Sequence, residues 1–406
     1  MSSTDIPTAD PAADTATTPG TSRRWAMLAV SVVGQAASAV MINGPAFLIP
    51  TLHHQLGLSL AEAGLVAAAS TIGVMVSLIA WGYVADRFGE RFAMVSGLTG
   101  TAAAGVLATQ VTSTVALAVA LFLAGCFAAS TSSASGRVVV GWFPANRRGL
   151  AMGIRQMAQP VGVGIAAITI AVVASKHGIS AALWIPTAAA AVAALACLLI
   201  VIDPPRSNPT NGSTPNPYKR SDFLLRVHGV SVLLVVPQFA VWTFGLVWLV
   251  DDRGWGAGAA GALIAASQFL GAFGRIAVGH LSDLVSSRMR PLRWVAIAAA
   301  LTMGLLALTT ELDLAVAVFL LVVATTVTVA DNGLAFTSVA ERAGPSWSGR
   351  ALGVQNTAQY LAASAVAPIV GAAISSWGYA VAFGLAALCP VVSIPLVPVR
   401  DEIKAD

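Results

Sequence analysis

Long apolar runs follow one another along almost the whole chain, separated by short polar stretches. A helix that spans a bilayer needs roughly 20 mostly apolar residues. Twelve runs of this kind can be marked, and they begin near Trp25, Leu60, Phe92, Ser113, Gly149, Ser180, Val227, Ala257, Trp294, Leu314, Gly349 and Tyr379. Because every backbone polar group must be paired inside a bilayer, the pattern predicts an all-α membrane protein with twelve transmembrane helices.

The composition supports a membrane environment. Of the 406 residues, 57% are hydrophobic and 10% are charged, and the mean hydropathy is +0.80. These values lie outside the range of ordinary soluble domains. Cys126, Cys197 and Cys389 fall inside apolar runs, where a cysteine is usually a small core side chain rather than a disulfide or metal ligand. We expect a multi-pass protein of the cytoplasmic membrane, surrounded by lipid.

The polar stretches divide the chain into parts. Residues 1–22 are rich in Ser, Thr, Pro and Asp and are typical of a disordered tail, while residues 203–222 read as a polar linker. The remaining parts are an N-terminal six-helix half at 23–202, a C-terminal six-helix half at 223–398 and a short tail at 399–406.

Lysine and arginine predict the orientation, because they gather in loops on the cytoplasmic side. With the N-terminus inside, one face collects Arg23, Arg24, Arg87, Arg91, Arg147, Arg148, Arg206, Lys219, Arg220, Arg226, Arg288, Arg290, Arg293, Arg342, Arg350, Arg400 and Lys404. The other face has only Lys176 and Arg253. Both termini are therefore expected to be cytoplasmic, and the net charge of +4 reflects topology rather than nucleic-acid binding.

The chain also repeats itself. "GLVAAAS" at 64–70 matches "GALIAAS" at 261–267, and "AMGIRQMAQ" at 151–159 matches "ALGVQNTAQ" at 351–359. The two spacings, 197 and 200 residues, are nearly equal. Two pseudo-symmetric halves of six helices each are predicted.

A concentrated group of charges stands between the second and third runs, in "GYVADRFGER" at 82–91. Its positions of interest are Gly82, Asp86, Arg87, Gly89 and Arg91. A carboxylate there gains roughly 0.3–1 kcal/mol when it lies against the N-terminus of a neighbouring helix. The alternative is that the arginines only fix the topology.

The spacing G-x-x-x-D-R-x-G-x-R resembles the loop signature of the major facilitator superfamily. A second copy begins with Gly279 and Asp283, but Leu284 stands where an arginine usually follows the aspartate, so we expect a weaker charge relay there. The resemblance covers about residues 25 to 398. It implies secondary transport by rocker-switch alternating access, with the charged turns acting as a gating motif that holds the halves together on the cytoplasmic side in the outward-facing state.

Arg275 is a charge inside a predicted span, where insertion costs roughly 2.5–3.5 kcal/mol. It lies on one helical stripe with Gly279 and Asp283. Its placement is similar to that of the substrate-binding arginine of small-anion facilitators such as nitrate, oxalate and monocarboxylate porters. The first-half counterpart is Leu78, so a two-arginine clamp is absent. The alternative for Arg275 is a structural ion pair near the gate.

Polar side chains also gather in the fifth and eleventh runs and interrupt the first and the seventh. The substrate-binding candidates are therefore Arg275 together with Arg155, Gln156, Gln159, Gln355, Asn356, Gln359, Asn43 and Gln238. A guanidinium offers planar donors to an anion, and amides can fix its orientation. The alternative is a set of hydrogen bonds between helices. Pro160 and Pro368 are expected to kink their helices.

Asp331 is the acid placed well inside a span, the tenth. Because a carboxyl group is less costly to bury when it carries a proton, Asp331 is a candidate for proton coupling. The alternative is a salt bridge to Arg137, at a similar depth in the fourth span. Glu62 differs, since Ser59 and Glu62 form a capping box that begins the second span.

These features predict a symporter or antiporter that moves a small organic or inorganic anion and works as a monomer. The alternative is a proton-linked exporter of drugs or other amphipathic compounds, because "GIRQMAQPVGVG" at 153–164 resembles the antiporter motif of drug exporters imperfectly, with Gln159 where that motif has glycine. No nucleophile–base pair, metal-ligand spacing or nucleotide-binding loop is found in the sequence. We therefore expect neither an enzyme nor a bound cofactor or metal.

Overall fold

The computed structural model describes residues 19–204 and 216–403, here called the N-terminal and C-terminal segments. Residues 1–18 of the predicted tail and 205–215 of the predicted linker lie outside the described residues. The described α-helices are α1 Thr21–Asn43, α2 Ile49–Leu56, α3 Leu60–Phe88, α4 Glu90–Gln110, α5 Thr114–Trp142, α6 Ala145–Gln156, α7 Ala158–Ile200, α8 Phe223–Val247, α9 Ala257–Leu284, α10 Met289–Glu311, α11 Val316–Val327, α12 Asp331–Ala343, α13 Ser348–Leu396 and α14 Val399–Ile403.

Ten helical stretches among the described residues are long and apolar enough to cross a membrane. Two of them, Ala145–Ile200 and Ser348–Glu402, are 56 and 55 residues long. Each is interrupted by a glycine with a positive φ, 85° at Gly178 and 82° at Gly378. Such a φ ends regular helix and is readily adopted by glycine alone. The all-helical membrane fold expected from the apolar runs is confirmed.

Local sequence signals set several helix ends. The hydroxyl of Ser59 accepts the N–H of Glu62 at 3.2 Å, and the Glu62 carboxylate accepts the N–H of Ser59 at 2.8 Å, so the expected capping box begins α3. A 3₁₀ segment at Gly44–Leu48 follows α1, where Pro45 lacks the N–H that a continuing helix needs.

Two further breaks occur inside predicted spans. Helix α6 ends at Gln156 and α7 begins at Ala158, just before Pro160. Helices α11 and α12 are separated by a turn at 328–330. In α13 the non-helical dihedral angles are at Gly378, between the runs predicted as the eleventh and twelfth spans, while Pro368 lies inside the helix.

The described end of the linker docks on the C-terminal segment. The hydroxyl of Tyr218, in the 3₁₀ turn Pro217–Lys219, lies 3.0 Å from Nε2 of His228, and its ring packs edge-on against Trp347. Burial raises the pKa of Tyr218 to about 12. This part of the linker is therefore packed against α8 and the start of α13.

Candidate functional site

Asp86 joins the two segments at one end of the bundle. Its carboxylate accepts the backbone N–H groups of Gly349 and Arg350, in the first turn of α13, at 2.8 and 3.0 Å. It also accepts Nε of Arg350 at 2.9 Å. Because the first N–H groups of a helix have no helical partner, a carboxylate is stabilised there by both hydrogen bonds and the helix dipole.

Asp283 makes the same contact in the opposite direction. Its carboxylate accepts the N–H groups of Gly149 and Leu150, each at 2.9 Å, although these are the fifth and sixth residues of α6 and not its first turn. The side chain of Arg288 donates to Asp283 at 2.6 Å and to the carbonyl oxygen of Ala145 at 2.6 Å. Arg288 stands at the last arginine position of the signature, 197 residues after Arg91, so the second relay keeps a cation although Leu284 occupies the other arginine position.

The helices that carry these acids cross in backbone contact. A Cβ added to Gly82 would lie 2.4 Å from the carbonyl oxygen of Gly349, and one added to Gly279 would lie 2.3 Å from that of Gly149. Side chains are excluded at both crossings. We call this end of the bundle, defined by Asp86 and Asp283 with their partners, the latch end.

Arg137 belongs to the latch end and not to the cavity. It bonds to Asp86, to Glu90 through Nε at 2.5 Å and to the carbonyl oxygen of Pro345 at 2.6 Å. The alternative pairing of Arg137 with Asp331 is therefore wrong, because the arginine is occupied by acids at the end of α3 and the start of α4.

A cavity of about 100 Å³ lies between the two segments. Helices from both segments contribute to its wall, which is formed by Gln35, Ser132, Gln156, Gln159, Val235, Gln238, Phe239, Trp242, Arg275, Asn332, Phe336, Asn356, Gln359, Tyr360 and Ala363.

Arg275 reaches from α9 into the wall of this cavity and is 5% exposed. Its Nη1 donates to the carbonyl oxygen of Gln156 at 2.7 Å, and its Nε donates to that of Val329 at 3.3 Å. The Gln156 oxygen is free because Pro160, four residues later, has no N–H to donate to it. Nη2 of Arg275 donates to no group of the described residues.

Asp331 lies behind Arg275 at the start of α12. It is 1% exposed, does not belong to the cavity wall and interacts electrostatically with Arg275. Neither carboxylate oxygen accepts a hydrogen bond from another side chain of the described residues. A buried carboxylate without such donors is costly, so Arg275 and the N-terminal dipole of α12 are its main sources of stabilisation.

Amide side chains form a second feature of the wall. Asn332 donates to Gln238 at 3.1 Å and accepts from Gln359 at 3.0 Å. Gln156, Gln159 and Asn356 also line the cavity. Since each amide has both donors and acceptors, this surface can orient a polar ligand by exchanging partners.

Three of the substrate-binding candidates lie outside the cavity wall. Arg155 is 1% exposed and donates to Ser135 at 2.8 Å and to Gln156 at 3.0 Å, so it supports the wall from behind. Gln355 is fully buried and bonds to His228 and Ser231. Asn43 bonds back to its own helix, at the carbonyl oxygen of Ala39.

The cavity also has lining residues that the sequence analysis did not single out. They are Gln35 and Ser132, the aliphatic Val235 and Ala363, the amide Asn332 and the aromatic Phe239, Trp242, Phe336 and Tyr360. For Asn332 a usable signal was its polar side chain directly after the candidate Asp331 inside an apolar run. Aromatic residues within apolar runs carry no such signal, because they look the same whether they face lipid or a ligand.

The comparisons place the chain in a known family. The family model of the Major Facilitator Superfamily (MFS) matches residues 31–367. The chain belongs to the major facilitator superfamily. The resemblance based on the charged turn and the repeated halves is thus confirmed, and this MFS protein is a multi-pass membrane transporter of a small-molecule substrate.

Similar proteins extend over most of this MFS transporter. An uncharacterized MFS-type transporter of Mycobacterium tuberculosis is 46% identical over 384 residues, 94% of this chain and 86% of that protein. A glycerol-3-phosphate transporter of Bacillus subtilis is 31% identical over 180 residues, 43% of this chain and 40% of that protein. The crystal structure of the MFS transporter FucP in the outward conformation has a TM-score of 0.74 at 17% identity, over 92% of this chain and 98% of that one.

Proposed function

We propose that this protein is a secondary active transporter that carries a small organic anion across the cytoplasmic membrane as a monomer. Counting the stretches broken at Gly178 and Gly378 as two spans each converts the ten long helical stretches into twelve. The reciprocal contacts of Asp86 and Asp283 support two pseudo-symmetric halves. The clustering of arginine and lysine supports cytoplasmic termini and a cytoplasmic latch end.

Alternating access follows from where the two halves meet. The latch end is held by carboxylate caps and backbone crossings, while the cavity lies beyond it between the same helices. Rocking of one half against the other would break the caps and expose the cavity to the cytoplasm. The present arrangement, with the latch formed, corresponds to the outward-facing state.

The observation that carries the anion proposal is the charge balance around the cavity. Arg275 lines the cavity and its Nη2 donates to no described group, while Arg155 lies one layer behind with no carboxylate among its hydrogen-bond partners. The neighbouring acid is Asp331, which faces Arg275 from outside the wall. Two guanidinium groups against one carboxyl group favour a negatively charged ligand. The glycerol-3-phosphate transporter of Bacillus subtilis, similar over part of the chain, is named for an organic anion.

The aromatic residues of the wall restrict the class of substrate. Trp242 presents ring surface to the cavity, while its Nε1 is buried and donates to no described group. Phe239 packs against Trp242 at 5.5 Å between ring centroids. Phe336 and Tyr360 add further ring surface. We propose an anion with an apolar or aromatic body, whose charged group binds Arg275.

Proton coupling is a further part of the proposal. Asp331 interacts electrostatically with Arg275 but does not line the cavity. A proton on Asp331 would therefore change the net charge near a bound ligand, although Asp331 and the ligand would not be in contact. Protonation would weaken the hold of Asp331 on Arg275 and strengthen the attraction of Arg275 for an anion. This geometry favours symport of an anion and a proton over exchange.

The second candidate is a proton-linked exporter of amphipathic compounds. The aromatic residues favour it, because a ring surface also binds lipophilic cations. The buried charge of Arg275 and Arg155 disfavours it.

A thermal-shift screen of purified protein distinguishes these two. The probes are benzoate, lactate, glycerol 3-phosphate, inorganic phosphate and tetraphenylphosphonium. We expect stabilisation by at least one organic anion, and its loss in Arg275→Ala. Stabilisation by tetraphenylphosphonium alone, retained in Arg275→Ala, would replace the anion proposal by the exporter.

A further inference from the structure

The N-terminus of α10 is capped by a residue from the far end of the chain. The carboxylate of Glu402, in α14, accepts the N–H of Arg288 at 2.5 Å and the hydroxyl of Ser287 at 2.6 Å. It also accepts the N–H of Met289, at 3.2 Å to the nearer oxygen. The hydroxyl of Ser287 accepts the N–H of Arg290 at 3.1 Å, and Glu402 caps the two N–H groups before it from outside the helix.

The capped residue is the cation of the second latch. While its backbone N–H is held by Glu402, the side chain of Arg288 donates to Asp283 and, in the N-terminal segment, to the carbonyl oxygen of Ala145, both at 2.6 Å. The residue before the capped turn, Ser286, has a φ of 51°, a conformation that costs energy for a side chain other than glycine. The turn that directs the side chain of Arg288 toward the N-terminal segment is therefore strained, and contacts from outside the turn are needed to stabilise it.

The first charged turn shows why this arrangement is specific. Arg91 stands 197 residues before Arg288, and its N–H is likewise capped from beyond the last helix of its segment, by Asp203 at 2.8 Å. The side chain of Arg91, however, donates to the carbonyl oxygen of Leu198 in its own segment at 2.6 Å. The same kind of cap thus holds Arg91 in a contact within its own segment and Arg288 in a contact between the two segments.

We infer that Glu402 is a positioning residue of the gate, and that α14 sets how firmly the latch end is closed by fixing Arg288 against Asp283 and Ala145. Loss of the cap frees the turn, lets Arg288 leave Asp283 and favours the state in which the latch is open. The inference rests on the alternating access proposed above and is independent of the substrate.

Distances between spin labels at Phe92 and Trp294, which are exposed near the starts of α4 and α10, report on the latch end. The three cysteines are first replaced. We expect Glu402→Gln to raise the ratio of the long-distance to the short-distance population about fivefold, the usual effect of losing a helix cap. The matched control is Asp401→Asn, which removes a neighbouring charge that pairs with Arg226 and should change the ratio less than twofold.

A second comparison tests whether Glu402 acts by positioning the side chain of Arg288 or by stabilising the latch end in general. In an Arg288→Ala background, Glu402→Gln should have no further effect on the ratio, because the side chain that the cap aims is gone. An equal shift in that background would overturn the inference, as would an unchanged ratio in Glu402→Gln alone. If Asp86→Asn and Arg288→Ala also leave the distances unchanged, the gate itself is refuted and the role of Glu402 with it.

Discussion

Nη1 of Arg275 lies 2.7 Å from the carbonyl oxygen of Gln156, so a buried arginine of the C-terminal segment is tied to a helix break in the N-terminal segment. The break exists because a proline follows, and the arginine uses the acceptor that the proline leaves free. One guanidinium thus joins the segments through Nη1 and belongs to a side chain that lines the cavity between them. A ligand bound to Arg275 would act directly on a contact between the segments.

Substituting Arg275 tests ligand binding. Arg275→Lys keeps the charge but loses the planar donor pair, and Arg275→Ala loses both. The affinity for the stabilising anion should fall in that order, by about tenfold to more than a hundredfold for alanine, because a charge-assisted hydrogen bond contributes roughly 1.5–3 kcal/mol. Titration calorimetry on purified protein measures this, with exposed Arg147→Ala as the control. Full affinity in Arg275→Ala would assign the arginine to interhelical bonding alone.

Substituting Asp86 tests the latch. Asp86→Asn keeps the size of the side chain but weakens its bonds to Gly349 and Arg350 and removes the partner charge of Arg137. The protein should still insert, and its population should shift toward the inward-facing state. Labelling of a cysteine introduced in the cavity from the periplasmic side should then decrease. Wild-type labelling in a well-expressed variant would exclude a gating role.

Asp331→Asn tests proton coupling. The amide cannot release a proton, so exchange of substrate should persist while accumulation driven by a pH gradient is lost. Counterflow and gradient-driven uptake in the same proteoliposomes provide the two measurements. A purely structural pair with Arg275 predicts instead that both activities fall together with expression. Undiminished pH-driven accumulation would remove Asp331 from the coupling mechanism.

The strained turn at the second latch makes a prediction about stability. Ser286 has a φ of 51°, and the residue 197 positions earlier is Gly89, with a φ of 108°. Ser286→Gly should raise the free energy of unfolding by up to about 1 kcal/mol, and Gly89→Ala should lower it by a similar amount or more. Midpoints of denaturant-induced unfolding in detergent compare the two. Destabilisation by Ser286→Gly would mean that the serine side chain outweighs the strain.

The sequence was sufficient for the membrane class, the family and most helix positions, because hydrocarbon thickness and backbone pairing leave few alternatives to apolar helices. It also placed Arg275, Gln156, Gln159, Gln238, Asn356 and Gln359 together, since buried polar groups must face a shared interior.

Other features depended on contacts that no local pattern encodes. The pairing of Arg288 with Asp283 required the geometry of the turn, and the pairing of Arg137 required knowing that α5 passes the end of α3. The position of Arg155 behind the wall depended on which side of α6 faces the cavity. Residues of similar depth in two helices need not be neighbours, which is why the pairing of Arg137 with Asp331 failed.

The glycine crossings at the latch end bear on how tightly the pathway is sealed against leakage. Backbone meets backbone at Gly82 and Gly349 and again at Gly279 and Gly149, so no rotamer change can open a narrow passage there. Only displacement of whole helices separates them, and it separates both crossings in one step. The two crossings therefore stay closed to water and protons until whole helices move, which limits the leakage of an ion gradient at these points.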